Sequence, residues 1–283
     1  MPDTRPFIPR ILIAFDFDRT LATDSVDAVL SIYGIERDDW ENEFEEALGD
    51  GWDDIVRRGQ ALIDLGRARD DPLTIDKLRE AGGRVSLYDD ATRMPDRLRE
   101  AARSIHPSIE IEFVVLSSGY AEIIEASGIM AAFDGLLAST LHFGPEGRAV
   151  CVKRAVTHPQ KALYLEALGK GLDYEGSNGP ERAGDRVDEH DMHCPFDQMI
   201  YLGDGASDLQ AFGFLTDAGG VAIAVDPDRD DSLGAGDEQA PRQRVDDLAP
   251  PDYSEGAELM EALGNAVRAA AHRIALRARS TGE

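Results

Sequence analysis

Cysteine, lysine and long apolar runs are all scarce in this chain, and each scarcity excludes something. Two cysteines among 283 residues, Cys151 and Cys194, give neither a disulfide framework nor a zinc-ligand spacing. No apolar run approaches the roughly 20 residues needed to span a bilayer. The first such run, Ile11-Leu12-Ile13-Ala14-Phe15, leads straight into Asp16 and Asp18 and has no secretory-signal pattern. A cytoplasmic protein is expected. Basic charge is short as well: 29 Lys and Arg face 55 Asp and Glu, a formal net charge of −26, and the lysines are only Lys77, Lys153, Lys161 and Lys170. Such a surface repels nucleic acid and anionic membranes, so neither is an expected partner.

What is present reads as α/β. Apolar content of 42% is ordinary, and the length suits one domain with an insertion, or two domains. A short continuous apolar run between turn signals predicts a buried parallel strand over 11–16. From about residue 24 to 82 the spacing changes to three and four: Ala28, Val29, Ile32 and Tyr33, then Trp40, Phe44 and Leu48, then Ile55, Leu62, Ile63 and Leu65. Those spacings predict helices and almost no strand, hence a helical insertion, a cap over residues 22–93 on a core of 1–21 and 94–283. Beyond Met94, helices are expected over 95–104, 121–127 and 159–169. Strands are expected over 109–116, 134–140, 198–202 and 220–225, with a hairpin through 143–147. The polar stretch 173–193 reads as a surface excursion and 226–242 as an acidic loop. Leu259, Leu263, Val267, Ala270 and Ile274 mark a closing amphipathic helix. Strands alternating with helices imply a parallel, doubly wound sheet.

Two carboxylate clusters carry the chemistry. Asp16-Phe17-Asp18-Arg19-Thr20 follows the first apolar run, and Gly203-Asp204-Gly205-Ala206-Ser207-Asp208 follows Met199-Ile200-Tyr201-Leu202. Both place acids where a buried strand stops, which is where α/β sheets collect ligands. Residues i and i+2 of an extended segment point the same way, so Asp16 and Asp18 are expected at one site. Two close acids repel, and one then holds its proton more tightly. That asymmetry suits Asp16 as a nucleophile and Asp18 as a general acid and base. Asp226-Pro227-Asp228 has the same spacing but runs into no Thr-Leu turn. Hard carboxylate ligands favour Mg²⁺, with Asp16, Asp18, Asp204 and Asp208 as its candidate ligands; Asp204 is expected to bind directly and Asp208 through water. Alternatively, Asp204 is a helix N-cap. Ser117, Ser118 and Gly119 end the strand over 109–116, where a hydroxyl and N–H groups hold phosphate oxygens or cap a helix. Lys161 begins a helix, and its cation would neutralise the phosphoryl group and the nucleophile together. His190-Asp191-Met192-His193-Cys194 matches no zinc set and reads as a surface loop.

Taken in order, these elements resemble the haloacid dehalogenase superfamily, with Ser117-Ser118-Gly119-Tyr120 close to the corresponding turn of its phosphoserine-phosphatase branch. The resemblance implies a Rossmann-like core and a Mg²⁺-dependent phosphatase acting through an aspartyl-phosphate, with the backbone carbonyl of Asp18 as a further metal ligand. The superfamily's dehalogenases lack an acid at the second position, so Asp18 argues for phosphate esters. Ser25 stands where the phosphoserine branch carries an acid that recognises the substrate amine. Arg19 replaces a small residue, and either contacts substrate or packs at the cap hinge. Residues 22–93 hold 19 acids and nine bases, net −10, which disfavours polyphosphorylated substrates. A small phosphorylated metabolite is expected. Phosphotransfer, dehalogenation and non-catalytic binding of a phosphorylated ligand are the alternatives, and the sequence sets no oligomeric state.

Overall fold

Strand β1 (Arg10–Phe15) shows why the sheet is central to the molecule. Its side chains alternate between two apolar layers, Ile11, Ile13 and Phe15 facing one and Leu12 and Ala14 the other. A strand buried on both faces needs a continuous apolar run, and that is what the sequence supplies. The computed structural model describes residues 6–172, 179–228 and 245–281.

The chain leaves β1 into a helical segment: α1 (Ser25–Tyr33), α2 (Arg37–Trp40) continued by a π-turn and a 3₁₀ turn, α3 (Asp54–Ala68) and α4 (Ile75–Arg84). Asp24, Asp53 and Thr74 cap α1, α3 and α4 by accepting from backbone N–H groups one turn in, which stops each helix short of the next break. Two extended crossings join this segment to the rest of the chain and pair with each other: Thr23 N–H donates to Ser86 O, and Tyr88 N–H to Leu21 O.

Helix α5 (Met94–Ile105) then leads into β2 (Glu110–Tyr120), α6 (Ala121–Ala126), β3 (Gly135–Phe143), β4 (Ala149–Arg154) and α7 (His158–Lys170). β5 (Met199–Gly203), α8 (Leu209–Asp217), β6 (Val221–Val225), β7 (Asp247–Ala249) and α9 (Glu258–Thr281) complete the order. The seven strands lie in the order β4-β3-β2-β1-β5-β6-β7. All neighbours are parallel except β3 and β4, which form the antiparallel hairpin. Helices α7 and α8 pack on the layer of Leu12 and Ala14, and α5 and α9 on that of Ile11 and Phe15. The sheet is doubly wound, as expected.

Three expectations need correction. β2 does not stop at Leu116 but runs on to Tyr120. Its register against β3 slips there, Ser117 opposing Ala138 and Tyr120 opposing Ser139, so Ser118 and Gly119 form a bulge. The stretch before β5 is not all surface. Cys194 is buried, and its N–H donates to Gly169 O, while His193 lies between Arg10 and Glu112 at the end of the sheet opposite Asp16. Helix α8 and strand β7 belong to the core although no strong pattern marks them. Of the polar stretch, 173–178 lies outside the described residues, as do 229–244 of the acidic loop.

Candidate active site

Chain order in the sheet explains why two distant acidic turns meet. From β1 the sheet grows outward through β2 to β3, then the chain returns to place β5 on the other side of β1. The connections therefore diverge between β1 and β5, and the crevice beyond their carboxyl ends is where such sheets bind ligands. Phe15 pairs with Leu202, and Asp16 N–H donates to Leu202 O at 2.8 Å. One residue further, Asp16 stands beside the turn that carries Asp204.

Oxygens of Asp16, Asp204 and Asp208 lie within 4.8 Å of one another. Lys161, fully buried at the start of α7, donates from Nζ to Asp16 Oδ2 at 2.8 Å and to Asp208 Oδ1 at 2.6 Å. Thr157 and Gln160 form a capping box and Pro159 occupies the first turn, so α7 begins rigidly and aims Lys161 inward. Burial alone would depress this lysine, but Asp16 and Asp208 raise its pKa above the ordinary value. Asp208 also accepts from the Tyr201 hydroxyl at 2.6 Å and the Ser207 hydroxyl at 3.1 Å. A Cβ on Gly203 would overlap the Asp208 carboxyl, so only glycine permits that approach.

Asp18 lies outside the three-carboxylate group. Its carboxyl accepts from Ser25 N–H at 2.7 Å and is pushed up to about 7, chiefly by burial and then by Asp24 and Asp16. Asp16 is likewise raised, first by burial, with Lys161 opposing and Asp208 adding. Asp204 is pushed up to about 7 by burial, Asp16 and Asp208, against Lys161 and Arg19. Acids held above their ordinary range by one another form a site short of positive charge. With hard oxygen donors so close together, the residues fit a divalent cation such as Mg²⁺.

At the bulge the candidates divide. Ser117 is buried; its hydroxyl accepts from Gly119 N–H at 3.0 Å, so that N–H is not free as expected. A Cβ on Gly119 would stand 2.9 Å from Asp18 Oδ2 and 3.3 Å from Ser117 Oγ, which puts the glycine backbone against both groups. Ser118 turns away, its hydroxyl donating to Val156 O at 2.8 Å.

Sequence reasoning missed three groups here. Tyr201, one polar tip in an apolar strand, holds Asp208. Asp228, set aside as a spacing coincidence, accepts from Arg19 Nη2 at 2.5 Å because β6 delivers it to the same end of the sheet. Tyr88 comes in on the second crossing. Burial raises its pKa, with Arg19 opposing and Asp228, Asp204 and Asp18 adding to the rise.

Known structures share this whole arrangement of strands and helices. A phosphoserine phosphatase bearing an analogue of its phospho-aspartyl intermediate is similar at a TM-score of 0.56 and 17% identity, over 91% of this chain and 99% of that one. The fold is that of the haloacid dehalogenase hydrolases in their phosphoserine-phosphatase form. A phosphoserine phosphohydrolase-like protein from Francisella tularensis shares it at 0.52 and 15%, over 89% and 99% of the two chains. Cytosolic 5'-nucleotidase IIIB bound to cytidine shares it at 0.51 and 11%, over 94% and 87%. No protein-family model matches the sequence, and no curated protein matches it significantly. At these identities the likeness is one of fold, and the chemistry must be argued from this chain's own residues.

Proposed function

We propose that the protein is a Mg²⁺-dependent phosphatase that hydrolyses a small phosphomonoester through an aspartyl-phosphate. The observation that carries this reading is the convergence of Asp16, Asp204, Asp208 and Lys161 at the sheet's switch point, with Asp18 beside them pushed up to about 7. Residues 22–93 act as a cap on the core of 1–21 and 94–283, since the two crossings that join it to the core pair with each other through Ala22 and Leu87, next to Asp18.

Lys161 favours the ionised form of Asp16 against its burial and fixes one carboxylate oxygen, leaving Asp16 to attack phosphorus. As the bond to the ester oxygen breaks, Asp18 gives that oxygen its proton, so the alcohol leaves neutral. Asp18, now ionised, takes a proton from water; the hydroxide attacks phosphorus and releases Asp16 and inorganic phosphate. General acid and base action of this kind is typically worth about 10²–10⁴-fold in rate. Ser117 and the Gly119 backbone line the place for the phosphoryl oxygens. Asp16, Asp204 and the backbone carbonyl of Asp18 would hold the cation, with Asp208 anchoring the far side through Lys161. A bound Mg²⁺ supplies charge neutralisation at the phosphoryl oxygens. Halide displacement has no use for a buried acid near neutrality, so the Asp18 environment favours phosphate esters.

Turnover of p-nitrophenyl phosphate with Mg²⁺ tests the reading. Asp16→Asn should abolish it and Asp18→Asn should reduce it by at least about 10²-fold without unfolding the protein. Undiminished turnover in Asp16→Asn would refute the assignment.

A further inference from the structure

Lys161 is buried and bound to two carboxylates, whereas Arg19 at the same site has a side chain 40% exposed and at its mouth. Its Nε lies 3.2 Å from Asp204 Oδ2 and its Nη2 2.5 Å from Asp228 Oδ2. The backbone at Arg19 is left-handed, φ +58°, with its N–H donating to Ala22 O at 2.7 Å. A long side chain is uncommon in that conformation, which suits glycine or asparagine far better. The conformation carries the guanidinium across the carboxyl ends of β1 and β5 to the one metal-facing acid that Lys161 does not touch.

Asp204 cannot serve two cations equally. A divalent ion bound to it stands a few ångströms from the guanidinium, and like charges at that separation repel strongly in a partly buried site. Released from Asp204, the guanidinium keeps its tether to Asp228 and so stays at the mouth. There its planar fork suits the paired oxygens of a phosphate. The substrate is an anion approaching a strongly acidic surface, and a cation freed at the mouth is what such an approach lacks.

Building on the phosphatase reading, we propose that Arg19 is an exchangeable cation: it pairs with Asp204 until the metal takes that carboxylate, then turns onto the substrate's oxyanion. Metal and substrate binding are thereby coupled. The metal frees the group that holds the phosphate, and the phosphate disfavours the return of Arg19 to Asp204.

Calorimetry on the full chain tests this with Mg²⁺ alone, then with inorganic phosphate in the presence and absence of Mg²⁺. Arg19→Gly suits the backbone conformation and removes the cation; should it not fold, Arg19→Asn replaces it. The variant should bind Mg²⁺ several-fold more tightly, having lost a competitor for Asp204. It should bind phosphate in the presence of Mg²⁺ about 10-fold more weakly, having lost a charge-assisted contact. Any result other than this opposed pair of shifts overturns the exchange, including joint weakening, the mark of a structural role. Wild-type protein that binds no Mg²⁺ would instead overturn the phosphatase reading itself.

Discussion

A lysine buried between two buried carboxylates is stable only while all three partners are present. Each ion loses its water on folding, and mutual hydrogen bonding is what offsets that loss. Lys161 meets the condition with Asp16 and Asp208. Lys161→Met should therefore do more than slow the chemistry. It leaves two carboxylates facing each other without compensation and should lower unfolding free energy by about 3–5 kcal/mol at pH 8. Urea unfolding measures this, and the loss should shrink at pH 5, since burial raises Asp16 and eases its uptake of a proton. A variant as stable as wild type at both values would contradict the assigned role. Residue by residue, the meeting of Asp16, Asp204, Asp208 and Lys161 was legible because each lies close to a well-marked strand or helix. Tyr201, Tyr88 and Asp228 were not, since each matters only through a neighbour distant in the chain. Ser118 shows the converse, a hydroxyl in the expected turn that the bulge points at Val156.

Elements were legible in proportion to their length and burial. β1 and β5 are continuous apolar runs because they lie at the centre of the sheet, and α9 shows its spacing over about four turns. β7 has three residues and α8 opens inside the second acidic cluster, so neither contrasts with its surroundings. The end of β2 was misplaced for a different reason: a bulge keeps the backbone extended through Ser118-Gly119, a pair that reads as a turn. Packing of α9 also depends on something that apolar spacing does not show. Arg277, fully buried on that helix, donates to Asp197 Oδ2 and Gln198 Oε1, each at 2.5 Å, next to the start of β5. That pair lies at the opposite end of β5 from Asp204. Arg277→Met removes the buried guanidinium from Asp197, which the half-exposed Arg273 at 3.7 Å replaces only in part, and should lower the urea midpoint, corresponding to about 3 kcal/mol. Under conditions where the variant is folded, kcat and KM for p-nitrophenyl phosphate should match wild type. A selective loss of kcat in folded protein would show that α9 reaches the site through β5.

At the scale of the whole molecule, stability and the site are linked through protons. Asp18 and Asp204, both pushed up to about 7, keep protons in the folded protein that the unfolded chain has already released. A carboxyl raised on folding contributes stability that is complete below its unfolded pKa, near 4, and is lost as pH rises through its folded value. Between about pH 4 and 7 the metal-free protein should therefore become progressively less stable. The net charge of −26 pushes the same way through general repulsion, so the slope alone does not assign the cause. Two comparisons do. Asp204→Asn has no proton to lose there and should flatten the fall in Tm between pH 5 and 8. Millimolar Mg²⁺ should raise Tm substantially at pH 8, where the acids are ionised and the cation stabilises the folded state by mass action. At pH 5, where protons hold the same oxygens, it should do little. Surface repulsion would instead give the variant the wild-type slope and let Mg²⁺ act similarly at both values. The acids that cost the fold its stability at neutral pH are then the ones that give the cation its place.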